Sequence, residues 1–250
     1  MPKIKTIHGI ENRKVVTQKD WLAARKKLLV KEKKFSKLRD KMNAERRKLP
    51  WVKIEKDYVF DGPDGKVTLA DLFYGKSQLI IYHFMFGPAW EEGCPYCSFW
   101  ADHYDSVNHH IGQRNTAFAV VSRAPWKEIE PFKKRMGWKF KWVSSFGTDL
   151  NFDFNVSFTS EELKTGKAIY NFAPLDMDID EREGVSAFYQ ERGDIYRTYS
   201  SYARGIDLMN TTYNFLDLTA KGRDENPEHS QDWVRFHDKY QGASNESCCA

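Results

Sequence analysis

No stretch of this chain is apolar for long enough to cross a bilayer. The longest clean run, Leu79-Ile80-Ile81-Tyr82, has the length of a strand, against the roughly 20 residues a membrane helix needs. No apolar segment follows Lys3 and Lys5, so no secretory signal is expected, and the cytoplasm is the expected location. Cysteine is scarce. Four residues fall in two pairs, Cys94 with Cys97 and Cys248 with Cys249, which is no disulfide framework. In a reducing compartment a Cys-x-x-Cys pair is more often catalytic or metal-binding than structural. Internal repeats and low-complexity tracts are also missing.

What is present describes a folded protein. Hydrophobic residues make up 41% and aromatics 15% of 250 residues, enough for one sizeable core. The net charge of +4 is unevenly spread. Residues 1–56 carry 19 Lys and Arg against 6 Asp and Glu, so the remainder is acidic. A basic arm on an acidic body is expected to pack on that body, or on a second copy as a homodimer through the arm. Nucleic acid is the less favoured partner. Thr17 with Asp20 reads as a capped helix start. Trp21, Ala24, Leu28, Phe35, Leu38 and Met42 then recur at helical spacing toward a stop at Pro50.

Turn residues 61–65 between short apolar runs predict a hairpin. Residues 78–86 read as a strand covered on both faces. A helix is expected over 99–110, a strand over 116–122, a crossover helix over 126–136 and a short strand over 142–145. Strands over 185–189 and 195–202 form a second hairpin, followed by a last core helix over 208–216. Residues 231–240 are expected as a short helix. Residues 146–181 show no sustained period. The order β, helix, β, helix, β-hairpin, helix fits an α/β central mixed sheet with helices on both faces. It is also the element order of the thioredoxin fold. The expected division is therefore a basic arm (1–56), a thioredoxin-like domain (57–220) and a C-terminal extension and tail (221–250).

The chemistry concentrates at Cys94-Pro95-Tyr96-Cys97. A thiol attacks only as its thiolate, so an ordinary cysteine pKa near 8.5 has to be lowered. A sulfur that follows a strand and starts a helix meets unpaired N–H groups that favour negative charge. Pro95 suits the first helical turn. Cys97, one turn on, is within disulfide reach. Cys94 is thus the expected exposed nucleophile and Cys97 the shielded resolving thiol. Glu91 and Glu92 precede Cys94, and like charge there opposes its ionisation. His83, in the preceding strand, is a candidate proton acceptor for Cys97. Trp90, Glu91, Glu92, Trp100, Tyr202 and Arg204 are candidate cleft residues. Structural zinc needs a second ligand pair near the first, and none is present, so no metal is expected at the dithiol.

The runs His83-Phe84-Met85-Phe86-Gly87-Pro88, Trp90-Glu91-Glu92-Gly93-Cys94-Pro95 and Cys97-Ser98-Phe99-Trp100-Ala101-Asp102 resemble the DUF899 family. So do Val121-Ser122-Arg123-Ala124-Pro125, Trp142-Val143-Ser144-Ser145-Phe146-Gly147, Tyr202-Ala203-Arg204-Gly205 and Asp232-Trp233-Val234-Arg235. The resemblance covers nearly the whole chain. It implies a thioredoxin-like fold and a dithiol–disulfide oxidoreductase without a cofactor, acting on protein or small-molecule thiols and disulfides. Thioredoxins carry a proline just before the second hairpin; here Glu183-Gly184 stands there. The threonine and spacing of peroxiredoxins are missing, so peroxidase chemistry by that route is not expected. Two other readings stand beside the redox one. The first is soft-metal binding by the dithiol or by Cys248 and Cys249, thiols that also suit electron transfer to a buried dithiol. The second is a scaffold or nucleic-acid protein using the basic helix.

Overall fold

The computed structural model describes residues 14–240 apart from 227 and 229. Helix α1 spans Gln18–Arg46. Thr17 caps it as the sequence predicts: its hydroxyl accepts the Asp20 N–H at 3.2 Å. The expected packing of α1 on the domain is not found, because none of its residues is buried. Trp21, Leu28, Phe35, Leu38 and Met42 all stay exposed. Contact with the body is at its C-terminal end, where the Arg46 guanidinium lies over the Tyr199 ring at 4.6 Å. A helix that buries nothing contributes little to the body's stability. Removing residues 1–46 is therefore expected to cost no more than about 1 kcal/mol, read as a melting temperature within a few degrees of the full chain.

The strands are β1 Val52–Lys53, β2 Val59–Gly62, β3 Gly65–Thr68, β4 Gln78–His83, β5 Thr116–Ser122, β6 Lys141–Ser144, β7 Ile169–Tyr170, β8 Ala173–Pro174, β9 Gly184–Glu191 and β10 Asp194–Tyr202. The remaining α-helices are α2 Pro95–Ala101, α3 Tyr104–Ile111, α4 Trp126–Arg135, α5 Leu150–Asp153, α6 Ser160–Thr165 and α7 Thr211–Leu216. Eight strands form one sheet in the order β1-β10-β9-β4-β5-β6-β2-β3, and β7 pairs with β8 apart from it. Strands β4, β5 and β6 are parallel, while β9 runs antiparallel to both β4 and β10. This is a thioredoxin-like sheet with β5-β4-β9-β10 at its centre.

Two crossovers stepping the same way across a parallel sheet must lie on the same face when both are right-handed. Accordingly α2, α3 and α4 share one core with Tyr82, Phe84, Val120 and Trp142. The return from β6 to β9 covers the other face, where α5 and residues 154–170 pack on Leu79, Ile81, Val121 and Val143. The middle of β4, Leu79–Tyr82, is apolar because both faces of the strand are covered there.

Three expected helices differ. The helix over 99–110 is broken between α2 and α3, where Asp102, still exposed, accepts Trp138 Nε1–H at 2.8 Å. The last core helix, expected over 208–216, starts three residues late as α7 and follows a 3-10 segment over Ala203–Met209. Asn210 restarts the chain there by capping Tyr213 N–H, and Tyr213 alone in α7 is buried. Residues 231–240 form a turn over 231–233, an irregular stretch over 234–236 and one 3-10 turn at His237–Lys239. Val234 and Phe236 are buried in the α2 core, so this segment behaves as a strap and not as a helix.

Candidate active site

The chain turns from β4 into α2 through residues 84–94, and backbone bonds fix that turn. Cys94 N–H donates to Met85 O at 2.9 Å, and Ala124 N–H to Phe86 O at 2.7 Å. Gly93 is required by space: a Cβ there would lie 2.7 Å from both the Phe84 and Phe132 rings. Cys94 is the N-cap residue of α2 and Pro95 its first helical residue, as the spacing predicts.

The Cys94 sulfur accepts the Cys97 N–H at 3.5 Å. The Cys97 sulfur lies beneath and accepts the Met85 N–H at 3.4 Å. Both thiols are free. The Cys97 S–H bond to Cys94 is the largest influence on the Cys94 thiol and lowers its pKa. Burial opposes this, and the N–H groups of Cys97 and Tyr96 reinforce it. Burial is the main cause that pushes the Cys97 thiol well up, and the neighbouring Cys94 adds to it. The two sulfurs are thus held apart in acidity, with the outer one the stronger acid.

The expectation of an exposed Cys94 needs correction, since it is only 6% exposed. It reaches solvent through a cavity of ≈ 540 Å³, which Cys97 also lines. Trp90, Trp100, Glu92 and Arg204 line the same cavity. The Trp100 indole is fixed by donating to Ile206 O at 3.1 Å.

Three other sequence candidates are not at the site. His83 points to the far face of the sheet, because successive side chains of a strand alternate. There it stacks on Phe154 at 5.6 Å and shares a 3.0 Å hydrogen bond with Ser186 Oγ. Burial holds its pKa down to about 3, so it is a neutral core histidine. Tyr202 is buried in that same far core, donating to Phe154 O at 3.0 Å. Glu91 is exposed and lies outside the cavity lining. Glu92 does line the cavity, but its charge is taken up by Arg135 and by Lys239 at 3.1 Å.

The sequence reading missed two groups. Tyr82, one residue before His83, takes the face that points at the dithiol. Its buried hydroxyl and that of Tyr104 have no partner within ordinary hydrogen-bond geometry; the Tyr82 hydroxyl faces the Cys97 sulfur and works against burial, favouring the thiolate. Glu183 lines the cavity from the place where thioredoxins have proline, and its charge raises the pKa of both thiols. The Tyr170 hydroxyl holds it, 2.9 Å from Glu183 O and 3.1 Å from Oε1. Strand alternation was enough to find Tyr82 once β4 was placed. The comparison with thioredoxins had placed Glu183 at the proline position but gave it no role; its approach to the dithiol depends on a segment nearly 90 residues away. Among the described residues no three His, Cys, Asp or Glu side chains are grouped to hold a metal ion. Cys248 and Cys249 lie outside the described residues.

A thioredoxin-like sheet that presents a buried dithiol at the start of a helix defines the class of protein. The chain belongs to the DUF899 family, described as a bacterial protein of unknown function, whose pattern matches residues 10–240. No curated protein matches it. Among solved structures it is similar to Xanthomonas campestris peroxiredoxin Q, at 15% identity over 62% of this chain and 87% of that one, with a TM-score of 0.41. It is also similar to the peroxidoxin BcpB of Mycobacterium tuberculosis, at 12% identity over 63% and 91%, TM-score 0.42. A third is a putative protein disulfide isomerase of Bacteroides thetaiotaomicron, at 16% identity over 64% and 84%, TM-score 0.36. Among the described residues no helix is long and apolar enough to cross a membrane.

Proposed function

We propose that this protein is a thiol–disulfide oxidoreductase working through Cys94 and Cys97. The observation that carries the reading is the pair itself. One sulfur at the start of α2 opens into a cavity and is made acidic by the other, which lies shielded below it. The Cys94 thiolate attacks one sulfur of a substrate disulfide, and the other leaves as a thiolate. Cys97 then gives up its proton and attacks Cys94, which releases the second substrate thiolate and leaves a Cys94–Cys97 disulfide.

Two neighbours support that second step. Glu183 is the proton acceptor in the cavity, and the Tyr82 hydroxyl stabilises the emerging Cys97 thiolate. The recess favours small or extended disulfides over those in a folded surface. Tyr82, Met85, Trp90, Trp100, Ile179 and Ile206 make its walls largely apolar.

The test is a thiol titration of the full chain by alkylation rate against pH. Cys94 is expected to ionise below the ordinary range and Cys97 above it. In Cys97→Ala the Cys94 midpoint rises, because the S–H donor is lost; Cys97→Ser keeps an O–H donor and moves it less. A Cys94 that titrates at or above the value for a free cysteine would falsify the reading. In Glu183→Gln both midpoints fall, since a negative charge has been removed. Resolution of the mixed disulfide should nevertheless slow by about 10²-fold, the low end of general-base contributions. A purely structural Glu183 would not separate those two effects.

A further inference from the structure

Five charged side chains line the dithiol cavity: Glu92, Arg182, Glu183, Arg204 and Asp207. Four of them are engaged by the protein itself. Glu92 is bound by Arg135 and, at 3.1 Å, by Lys239. Asp207 takes Arg223 at 3.1 Å and Arg204 at 3.4 Å. Glu183 accepts from the Tyr170 hydroxyl at 3.1 Å. Arg182 is the exception. Its Nη2 meets only the Met177 sulfur, a weak and uncharged acceptor. Its guanidinium lies over the Tyr170 ring at 5.2 Å. Its Nε is buried and has no hydrogen-bond partner. Among the described residues no carboxylate is paired with it.

The backbone beneath Arg182 is firmly held. Its N–H donates to Val156 O at 2.8 Å, and the preceding residue, Glu181, is anchored by Arg123 and Ser157. A half-buried cation without a counter-charge is costly. It is also a planar fork already set in the wall of a cavity, the geometry that takes a carboxylate by two parallel bonds. The next residue, Glu183, acts through its charge on both sulfurs, so an anion on Arg182 is bound close to the dithiol. The occupant has to be small, because Cys94 is only 6% exposed. Trp90, Trp100, Ile179 and Ile206 offer apolar wall to the carbon arms that flank its sulfurs.

We propose that the cavity selects low-molecular-weight disulfides whose arms end in a carboxylate, with Arg182 binding that carboxylate and the disulfide set against Cys94. This rests on the redox reading above and names the substrate class of the same site. A hydrogen bond to a charged group is worth tenfold or more in binding. Glu183 nearby offsets part of the gain, so about tenfold is expected. The carboxylate is bound alike before and during sulfur exchange, so the gain falls on the half-saturating concentration and not on the limiting rate.

The test compares three disulfides with matched two-carbon arms: 3,3′-dithiodipropionate (anionic), bis(2-hydroxyethyl) disulfide (neutral) and cystamine (cationic). Each in excess oxidises the reduced full chain, followed by alkylation and peptide mass mapping of the remaining Cys94 and Cys97 thiols. Every rate is divided by that of the same disulfide with 2-mercaptoethanol alone. The anionic disulfide should half-saturate at a concentration about tenfold lower than the neutral one, with cystamine no better than neutral. In Arg182→Gln that ratio should fall to about one; in Arg182→Lys, which keeps the charge and loses the fork, it should lie between. The series in the native chain stands even if a variant folds poorly. Equal half-saturation, a preference for cystamine, or a ratio unchanged in Arg182→Gln overturns the proposal and leaves the redox reading intact. If none of the three oxidises the dithiol, the redox reading itself fails and this inference with it.

Discussion

Cys94→Ser is expected to reduce turnover of a small aromatic disulfide by roughly 10³-fold or more, to the uncatalysed rate, with the fold intact. The substitution removes the attacking sulfur and puts in its place a hydroxyl that does not ionise at neutral pH. Cys97→Ser should behave differently. Its Cys94 still attacks, so one equivalent of leaving thiolate appears in a fast burst. The reaction then halts, because no thiol is left to resolve the mixed disulfide. Mass spectrometry of the stalled chain should find the adduct on Cys94. The contrast between a silent variant and a stalled one separates the two roles that the geometry assigns. If both variants turned over like the native chain, the dithiol would have no part in the chemistry. If Cys97 carried the adduct in the native chain, the order of attack would be reversed.

Arg123→Ala should produce the largest loss of stability of any single substitution outside the apolar core. Arg123 follows β5 and pairs through Nε with Glu181, whose side chain is 1% exposed. Ser157 Oγ donates to the other carboxylate oxygen at 2.9 Å. Even with this partner, burial pushes the Glu181 pKa up to about 7. Removing the guanidinium leaves a buried carboxylate without its counter-charge, which costs about 3–5 kcal/mol. Because the folded pKa of Glu181 lies above the ordinary glutamate value, protonation favours the native state. Its contribution is fully present below about 4.5 and is lost as pH rises toward 7. In Arg123→Ala the Glu181 pKa should rise further, since Arg123 is what holds it down, so the loss extends to higher pH and acid should partly rescue the variant in urea melts. Glu181→Gln in the same background should rescue it at neutral pH. A variant as stable as the native chain at neutral pH would mean that the pair is not what holds residues 177–183 in place. This matters for the site because the same segment carries Glu183.

Much of the fold could be read from the sequence because its signals are local. The Thr17 cap, the hairpin turn over 61–65, the doubly buried run of β4 and the helix start at Cys94-Pro95 each depend on a few adjacent residues. The order of these elements was then enough for a thioredoxin-like sheet. The errors share a cause as well. The seam on α1 has helical spacing, but spacing does not say whether a partner surface is within reach, and here the helix extends beyond its own domain. The helices expected over 208–216 and 231–240 have the right composition. Asn210 capping in the first, and docking of Val234 and Phe236 in the second, override it.

The sequence by itself determined which atoms are available for chemistry: two sulfurs one helical turn apart, the outer one at a helix start. That follows from covalent spacing and helix geometry. Only the tertiary structure decided what surrounds them. Which side of β4 faces the thiols excluded His83 and admitted Tyr82. The return from β6 to β9 brought the Glu183 side chain to the dithiol cavity, and the strap brought Lys239 to Glu92. Contacts between residues far apart in the chain follow from how whole faces pack, and no local pattern encodes them.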